Sequence, residues 1–155
     1  MDKKNNRYMV SLLIKPASSL CNMRCKYCFY HDVANTRKVS SYGIMTEETA
    51  DVLIKRTVEY AYDTAKIFFA FQGGEPTLAG LDFFKYFCKK VEENKKSGQK
   101  IFYSIQTNGI LTDEKWCGFF AQNNFLVGVS LDCERELHDM HRIDINGVGT
   151  YDRVI

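Results

Sequence analysis

The 155-residue sequence lacks several features that would place it in common classes of protein. No apolar run approaches the roughly 20 residues of a membrane-spanning helix, so we expect no membrane contact. Outside the mixed-charge stretch KKVEENKKSGQK there is no dense Lys/Arg stripe, and the net charge is only +2, which argues against a nucleic-acid partner. The apolar run MVSLLI near the N-terminus is short and no small-residue cleavage site follows it, so it predicts a strand rather than a signal peptide.

The sequence also lacks the pattern of a secreted disulfide scaffold, which would be shorter and richer in loops. It has six cysteines, but three of them are crowded into one loop with the spacing C-x3-C-x2-C. The others lie singly in apolar periodic segments, where we expect ordinary core or near-surface thiols. These are Cys88, Cys117 and Cys133. This distribution predicts a reducing compartment, the cytoplasm.

The sequence does contain an alternation of strand-like and helix-like segments. Hydrophobic residues make up 45% of the chain and aromatic residues 14%, which is enough for the core of one globular domain. Short apolar runs predict strands at 8–14, 66–72, 101–106 and 125–131. Amphipathic segments predict helices at 45–62, 81–96, 112–124 and 134–142. This alternation predicts an α/β fold, a parallel sheet of repeated β/α units with right-handed crossovers.

The predicted strand ends carry the unusual residues of the sequence. In parallel sheets, function gathers in the loops that follow the carboxyl ends of the strands. Here these loops hold the clustered cysteines, GGEP at 73–76, TNG at 107–109 and Asp132. The second and fourth strands, KIFFAFQ and FLVGVSL, are apolar enough to be buried on both faces. Because the fourth would then form an exposed sheet edge, we expect the chain to be part of a longer protein.

The clustered cysteines, Cys21, Cys25 and Cys28, allow three interpretations from their spacing. Thiolates grouped this closely serve soft metals. A structural zinc site would need a fourth ligand, for which His31 is the candidate. A redox pair of Cys25 and Cys28 would leave Cys21 without a role and lacks a thioredoxin-like context. Three ligands suit a cubane iron–sulfur cluster whose fourth iron stays open for a small molecule.

The pattern Cys21-Asn-Met-Arg-Cys25-Lys-Tyr27-Cys28 resembles that of the radical S-adenosylmethionine enzymes. GGEP stands one crossover later, where that family has its Gly-Gly-Glu, and glycines let a backbone approach a charged ligand closely. Five segments together are similar to anaerobic sulfatase-maturating enzymes: LLIKPASSLCNMRCKYCFYH, SYGIM, FAFQGGEPTLAGLDFF, SIQTNGIL and FLVGVSLD. The resemblance covers residues 11–145.

The resemblance implies a fold, a domain and an activity. The fold would be an incomplete, partly TIM-like radical S-adenosylmethionine barrel. Residues 1–155 would be the N-terminal portion of this core domain, without the C-terminal domain of auxiliary clusters and without a catalytic base. The activity would be reductive cleavage of S-adenosylmethionine to a 5′-deoxyadenosyl radical, which oxidises a cysteine or serine of a client sulfatase to formylglycine. The partners would be that client and an electron donor such as flavodoxin or ferredoxin.

The resemblance also implies roles for three groups of residues. A [4Fe–4S] cluster would be held by Cys21, Cys25 and Cys28. S-adenosylmethionine would be contacted by Gly73, Gly74, Glu75, Ser130 and Arg142. The client peptide would be contacted by Tyr30 and Gln72.

Other polar residues receive no site role from the sequence. Surface or helix-face positions are expected for His31, His138 and His141, and Asn108 is expected to form a turn before Gly109. Two other functions stay open: a different peptide-modifying enzyme of the same superfamily, and a module that binds cluster and cofactor without turnover. A small zinc-binding domain is the third alternative.

Overall fold

The computed structural model describes residues 7–155 and contains one four-stranded sheet. The strands are β1 Met9–Ile14, β2 Lys66–Phe71, β3 Lys100–Thr107 and β4 Phe125–Val129. The helices are α1 Phe29–Asn35, α2 Glu47–Tyr60, α3 Leu81–Asn94, α4 Glu114–Gln122, α5 Arg135–His141 and α6 Tyr151–Val154. All neighbouring strands pair in parallel, in the order β1-β2-β3-β4. The predicted parallel sheet of β/α units is confirmed, and it is open rather than closed, with β1 and β4 at its edges.

Two of the helices, α2 and α4, begin at a residue whose side chain caps the first turn. The hydroxyl of Thr46 accepts from the backbone N–H of Thr49 at the start of α2. The carboxylate of Asp113 accepts from the backbone N–H of Trp116 at the start of α4.

The predicted strand 125–131 is two residues too long, because β4 ends at Val129 before the chain turns toward α5. Helix α1 was not expected from the sequence, since its seven residues are too few to show a helical period.

The hydrophobic core lies on one face of the sheet, beneath α2, α3 and α4. From β2 it takes Ile67, Phe69 and Phe71, which are all buried. Phe87 of α3 packs edge-to-face on both phenylalanines, with ring centroids 5.2 Å apart in each case. Helices α2, α3 and α4 contribute no residue to the cleft at the carboxyl ends of the strands.

The opposite face of the sheet is partly open, so the expectation that β2 and β4 are buried on both faces is wrong for this structure. Phe68 of β2 is only half-buried, and Leu126 of β4 is 75% exposed. The reason is that, within residues 7–155, the helices that cover the sheet all pack on its other face. None of the helices of the described chain is both long and apolar enough to span a membrane.

Candidate cluster and cofactor site

The cysteine loop follows β1 and is folded by short backbone turns. Ser18 donates to the carbonyl of Lys15 at 3.0 Å, and Leu20 donates to that of Ala17 at 2.9 Å. The loop is then tied to the next strand end, since the backbone N–H of Glu75 donates to the carbonyl of Leu20 at 2.7 Å. These turns bring the half-buried thiols of the three clustered cysteines to the wall of one enclosed cavity.

A single zinc ion and an iron–sulfur cluster require different arrangements of the three thiols. Among residues 7–155, no three His, Cys, Asp or Glu side chains converge closely enough to hold one metal ion. Tetrahedral zinc would draw its thiolates to about 3.8 Å from one another, given bonds of about 2.3 Å. A cubane binds each thiolate through a different iron, so its ligands lie farther apart. His31, the fourth ligand that zinc would need, lines the same cavity, but its side chain is exposed and its Nδ1 contacts the Asn35 amide at 3.2 Å.

Burial makes two of the three thiols, those of Cys21 and Cys25, weaker acids when no metal is bound. Burial raises the pKa of Cys21 to about 11, and the nearby Glu75 and the other clustered thiols add to the rise. Burial also raises the pKa of Cys25, while the positive charge of Arg142 opposes the shift. Metal binding must therefore displace protons from this loop, as it does at other thiolate sites.

A cleft of about 360 Å³ opens beside the cysteines at the carboxyl end of the sheet. Its volume is in the range of small-molecule sites. It brings together all the residues to which the resemblance assigned a role: Cys21, Cys25, Cys28, Tyr30, Gln72, Gly73, Gly74, Glu75, Ser130 and Arg142. A larger groove, of about 610 Å³, lies between α3 and α4, but it holds none of these residues.

The two glycines of GGEP are required by the protein's own chain. Both have positive φ, 89° at Gly73 and 58° at Gly74. A Cβ at Gly74 would lie 2.3 Å from the carbonyl oxygen of Leu20, next to the first cysteine. At Gly73 it would lie 2.5 Å from Cε of Lys15, whose side chain crosses this position. The sequence predicted that these glycines let the backbone approach a ligand. The structure adds a second reason for glycine at both positions, which is close packing against the cysteine loop and Lys15.

Glu75 is 1% exposed, and its carboxylate is bonded within the protein. Oε1 accepts from the backbone N–H of Thr77 at 3.0 Å, from its hydroxyl at 2.6 Å and from the Thr107 hydroxyl at 2.7 Å. Oε2 accepts from the backbone N–H of Asn108 at 2.7 Å. Glu75 thus joins the loop after β2 to the loop after β3. Only Oε2, with a single donor, retains much capacity for a ligand ammonium.

Asn108 and Gln106 also line the cleft, although the sequence gave them no role in it. Asn108 forms the expected turn, since its Oδ1 accepts from Ile110, but its Nδ2 also donates to Asn22 at 2.7 Å. The same Nδ2 lies 3.9 Å from Sγ of Cys21. Gln106 donates to the Ser130 hydroxyl at 3.1 Å. The sequence signal for Gln106 is that it is a polar amide at the end of the apolar run IFYSIQ, next to the loop TNG.

The segment after α5 returns to the cysteine loop and pairs with its backbone. Arg24 donates to the carbonyl of Ile143 at 2.7 Å, and Lys26 donates to that of His141 at 2.9 Å. An isolated antiparallel bridge joins Met23 to Asp144. The cysteine loop is therefore supported from both the GGEP side and the α5 side.

Arg142 lies at the mouth of the cleft in a small polar network. Its Nε donates to Oδ1 of Asp132 at 3.0 Å, and the Tyr27 hydroxyl donates to Oδ2 at 2.9 Å. Burial alone would raise the pKa of Asp132, but the hydrogen bonds from Tyr27 and Arg142 outweigh it and lower that pKa. Burial and the bond to Asp132 raise the pKa of Tyr27 to about 12. In the described chain the Nη groups of Arg142 have no hydrogen-bond acceptor, so they can meet a ligand carboxylate.

This fold and site define a radical S-adenosylmethionine protein. The chain matches the Radical SAM superfamily model over residues 16–155 and belongs to that superfamily. The predicted superfamily is confirmed, and so are the enzyme class and the cofactors that it implies, a [4Fe–4S] cluster and S-adenosylmethionine.

Several relatives of the chain are named as anaerobic sulfatase-maturating enzymes. It is 47% identical over 146 residues to a cysteine-type anaerobic sulfatase-maturating enzyme of Clostridium novyi, covering 94% of this chain and 38% of that protein. The serine-type enzyme of Bacteroides thetaiotaomicron is 35% identical over 146 residues, which are 93% of this chain and 34% of that protein. The solved structure of native anSMEcpe with bound AdoMet superposes with a TM-score of 0.86 at 48% identity, covering 94% of this chain and 39% of that one. The chain therefore spans less than two fifths of the length of these relatives.

Proposed function

We propose that residues 1–155 are the N-terminal portion of the core domain of an anaerobic sulfatase-maturating enzyme. The protein would oxidise a client sulfatase residue to formylglycine in the cytoplasm, with electrons from a flavodoxin- or ferredoxin-like donor. The observation that carries the proposal is the single cleft shared by the three cysteines and the GGEP turn. Similarity to proteins named as sulfatase-maturating enzymes supports the choice of reaction.

We infer that the client residue is a cysteine rather than a serine. Identity to the cysteine-type enzymes is 47% and 48%. Identity to the serine-type enzymes is only 35% over a similar length. One solved structure of native anSMEcpe contains AdoMet and the Cp18Cys peptide, and it superposes on this chain with a TM-score of 0.85.

The proposed cofactors fit the residues that the cleft provides. Cys21, Cys25 and Cys28 would hold three irons of the cluster, because all three line one cavity. When bound, the cluster and S-adenosylmethionine supply the one-electron cleavage that starts hydrogen-atom abstraction from the client. The protein supplies the position and the shelter from water.

The polar part of S-adenosylmethionine would lie across the loops after β2 and β4. The turn of Gly73, Gly74 and Glu75 presents carbonyl oxygens and one carboxylate oxygen that can accept from an ammonium group. On the other side, the Ser130 hydroxyl and the Nη groups of Arg142 can donate to the carboxylate. The two sides of the cleft thus carry opposite hydrogen-bonding character, as a zwitterionic amino acid requires.

The client side of the cleft would be marked by Tyr30 and Gln72. The Gln72 amide donates to the Tyr30 hydroxyl at 3.3 Å, which fixes both groups at the end of β2. The Lys15 ammonium lies 4.3 Å from the centre of the Tyr30 ring. Burial lowers the pKa of Lys15, with a further contribution from the charge of Arg37. These groups can position a peptide backbone beside the cofactor.

The proposal is tested with two peptides that differ only in having cysteine or serine before x-Pro-x-Arg. The protein, translated to the natural stop codon of its gene, is reconstituted anaerobically and incubated with S-adenosylmethionine and dithionite. We expect formylglycine, detected by mass spectrometry, from the cysteine peptide and less from the serine peptide. The Cys28→Ala variant should form none, whereas Cys117→Ala should match the unmodified protein. Cleavage of S-adenosylmethionine without change in either peptide would contradict the proposed client.

A further inference from the structure

His138 of α5 is a fully buried imidazole, with 0% exposure, although the sequence predicted a surface or helix-face position. Both of its ring nitrogens have partners. Nδ1 faces the backbone N–H of Asp132 at 3.4 Å, and Nε2 lies 3.0 Å from the Thr150 hydroxyl. The ring also packs edge-on against Tyr151, with centroids 5.5 Å apart. Burying an imidazole is costly unless its ring nitrogens are hydrogen-bonded, and here both have partners.

The partners of His138 determine where its proton is. A backbone N–H can only donate, so Nδ1 must accept from Asp132 and carries no proton. The Thr150 hydroxyl has one proton, which it donates to the carbonyl of Arg142 at 2.8 Å. That hydroxyl can therefore only accept from His138, and the proton is on Nε2. The surroundings select one neutral tautomer of the ring.

Both hydrogen bonds of His138 lead to the network at the mouth of the cleft. The Nδ1 contact holds the backbone of Asp132, whose carboxylate binds Arg142 and Tyr27. The Nε2 contact passes through Thr150 to the carbonyl of Arg142. In addition, the backbone N–H of Arg142 donates to the carbonyl of His138 at 2.6 Å. The His138 side chain is thus hydrogen-bonded to the backbone of Asp132 and, through Thr150, to the backbone of Arg142.

We propose that His138 is a positioning residue that orients the Arg142 guanidinium toward S-adenosylmethionine by holding the backbone of Asp132. This inference rests on the proposed function, because it takes Arg142 as a ligand of the cofactor carboxylate. The Nδ1 contact is the one that positions Arg142, because Asp132 carries the carboxylate that pairs with the guanidinium. The Nε2 contact fixes the tautomer that makes Nδ1 an acceptor.

Two substitutions separate the two contacts of the ring. His138→Asn can place its amide oxygen near the position of Nδ1, so it keeps the acceptor for Asp132 and loses the donor to Thr150. His138→Gln can place its amide nitrogen near the position of Nε2, so it keeps that donor and loses the acceptor. Both variants bury one neutral amide, which makes them controls for one another.

The measurement is the affinity of the anaerobically reconstituted protein for S-adenosylmethionine, with the spectrum of the reduced cluster as a second readout. We expect His138→Gln to bind about tenfold more weakly, the effect of one lost buried hydrogen bond, at unchanged iron content. His138→Asn should stay within about threefold of the unmodified protein, because the acceptor remains. Val91→Ala, which truncates a buried side chain of α3, should lower thermal stability and leave the affinity unchanged.

The outcomes distinguish this inference from the proposed function. If Arg142→Gln does not weaken binding, the assumed role of Arg142 is wrong and the proposed site fails with it. If Arg142→Gln weakens binding but His138→Gln and His138→Asn bind equally well, the inference about His138 is overturned while the site stands. Weaker binding by His138→Gln alone, together with a changed cluster spectrum on addition of S-adenosylmethionine, supports the inference.

Discussion

Replacing Glu75 with glutamine should destabilise the protein strongly, although the two side chains have nearly the same shape. The buried carboxylate accepts four hydrogen bonds, three at Oε1 and one at Oε2. In Glu75→Gln, the amide oxygen can keep the three donors at Oε1. The amide nitrogen must then face the backbone N–H of Asn108, so two donors meet and neither is satisfied.

The size of the effect follows from these contacts. Losing a charge-assisted hydrogen bond costs about 1.5–3 kcal/mol, and leaving buried donors unpaired costs about 1–3 kcal/mol more. We therefore expect the free energy of unfolding to fall by roughly 3–5 kcal/mol, a large share of the 5–15 kcal/mol typical of a domain. Asn108 would also be released from its place beside Cys21, so the cluster loop should loosen.

The assay is urea unfolding followed by circular dichroism at neutral pH. Asp82→Asn is the control, because the Asp82 side chain is 95% exposed and its ion pair with Lys85 should contribute little. If Glu75→Gln unfolds at the same urea concentration as this control but loses affinity for S-adenosylmethionine, the reasoning is refuted. Glu75 would then act on the ligand and not as the link between the two loops.

Three further predictions concern the loop, the network and the sheet edge. Gly74→Ala should lower the iron content of reconstituted protein, because its Cβ would meet a backbone oxygen at 2.3 Å; Gly43→Ala, with φ 77° but nothing within 4 Å, should keep its iron. The pKa of Asp132 is lower in the folded chain than in the unfolded one, so its pairing with Arg142 stabilises the fold above about pH 4 and is lost as pH falls through the folded pKa. Asp132→Asn should therefore show a shallower loss of stability in acid, and an equally steep loss would contradict the pairing. Leu126→Glu should reduce self-association in light scattering with little change in melting temperature, because Leu126 is 75% exposed beside a sheet edge; a large fall in melting temperature would show that this face is covered.

The features that sequence alone predicted are those written in local patterns. The strands appear as short apolar runs, and helix α2 begins at its capping residue, Thr46. The cysteine loop and GGEP were assigned to one edge of the sheet because parallel strands bring their carboxyl ends together. That rule explains why these two loops line one cleft, whereas Tyr30 and Arg142 were assigned to it through the family resemblance.

The features that sequence missed depend on contacts between distant segments. The pairing of Arg24 with Ile143, and of Lys26 with His141, joins segments more than 110 residues apart and has no local pattern. His138 looks like any histidine on a polar helix until the fold places Thr150 and Asp132 against its ring. The GGEP motif assigned Glu75 a contact with S-adenosylmethionine. The motif does not reveal that the same carboxylate accepts four hydrogen bonds from within the protein.

The central claim is that the three clustered cysteines hold a [4Fe–4S] cluster with a site for S-adenosylmethionine. The most direct measurement is the electron paramagnetic resonance spectrum of the reconstituted, dithionite-reduced 155-residue chain, before and after addition of S-adenosylmethionine. We predict about four irons per chain and a cluster signal that changes with the cofactor. Cys21→Ala should lose the signal and Cys88→Ala should keep it. A colourless protein with one equivalent of zinc, or a cluster signal that S-adenosylmethionine does not alter, would contradict the claim.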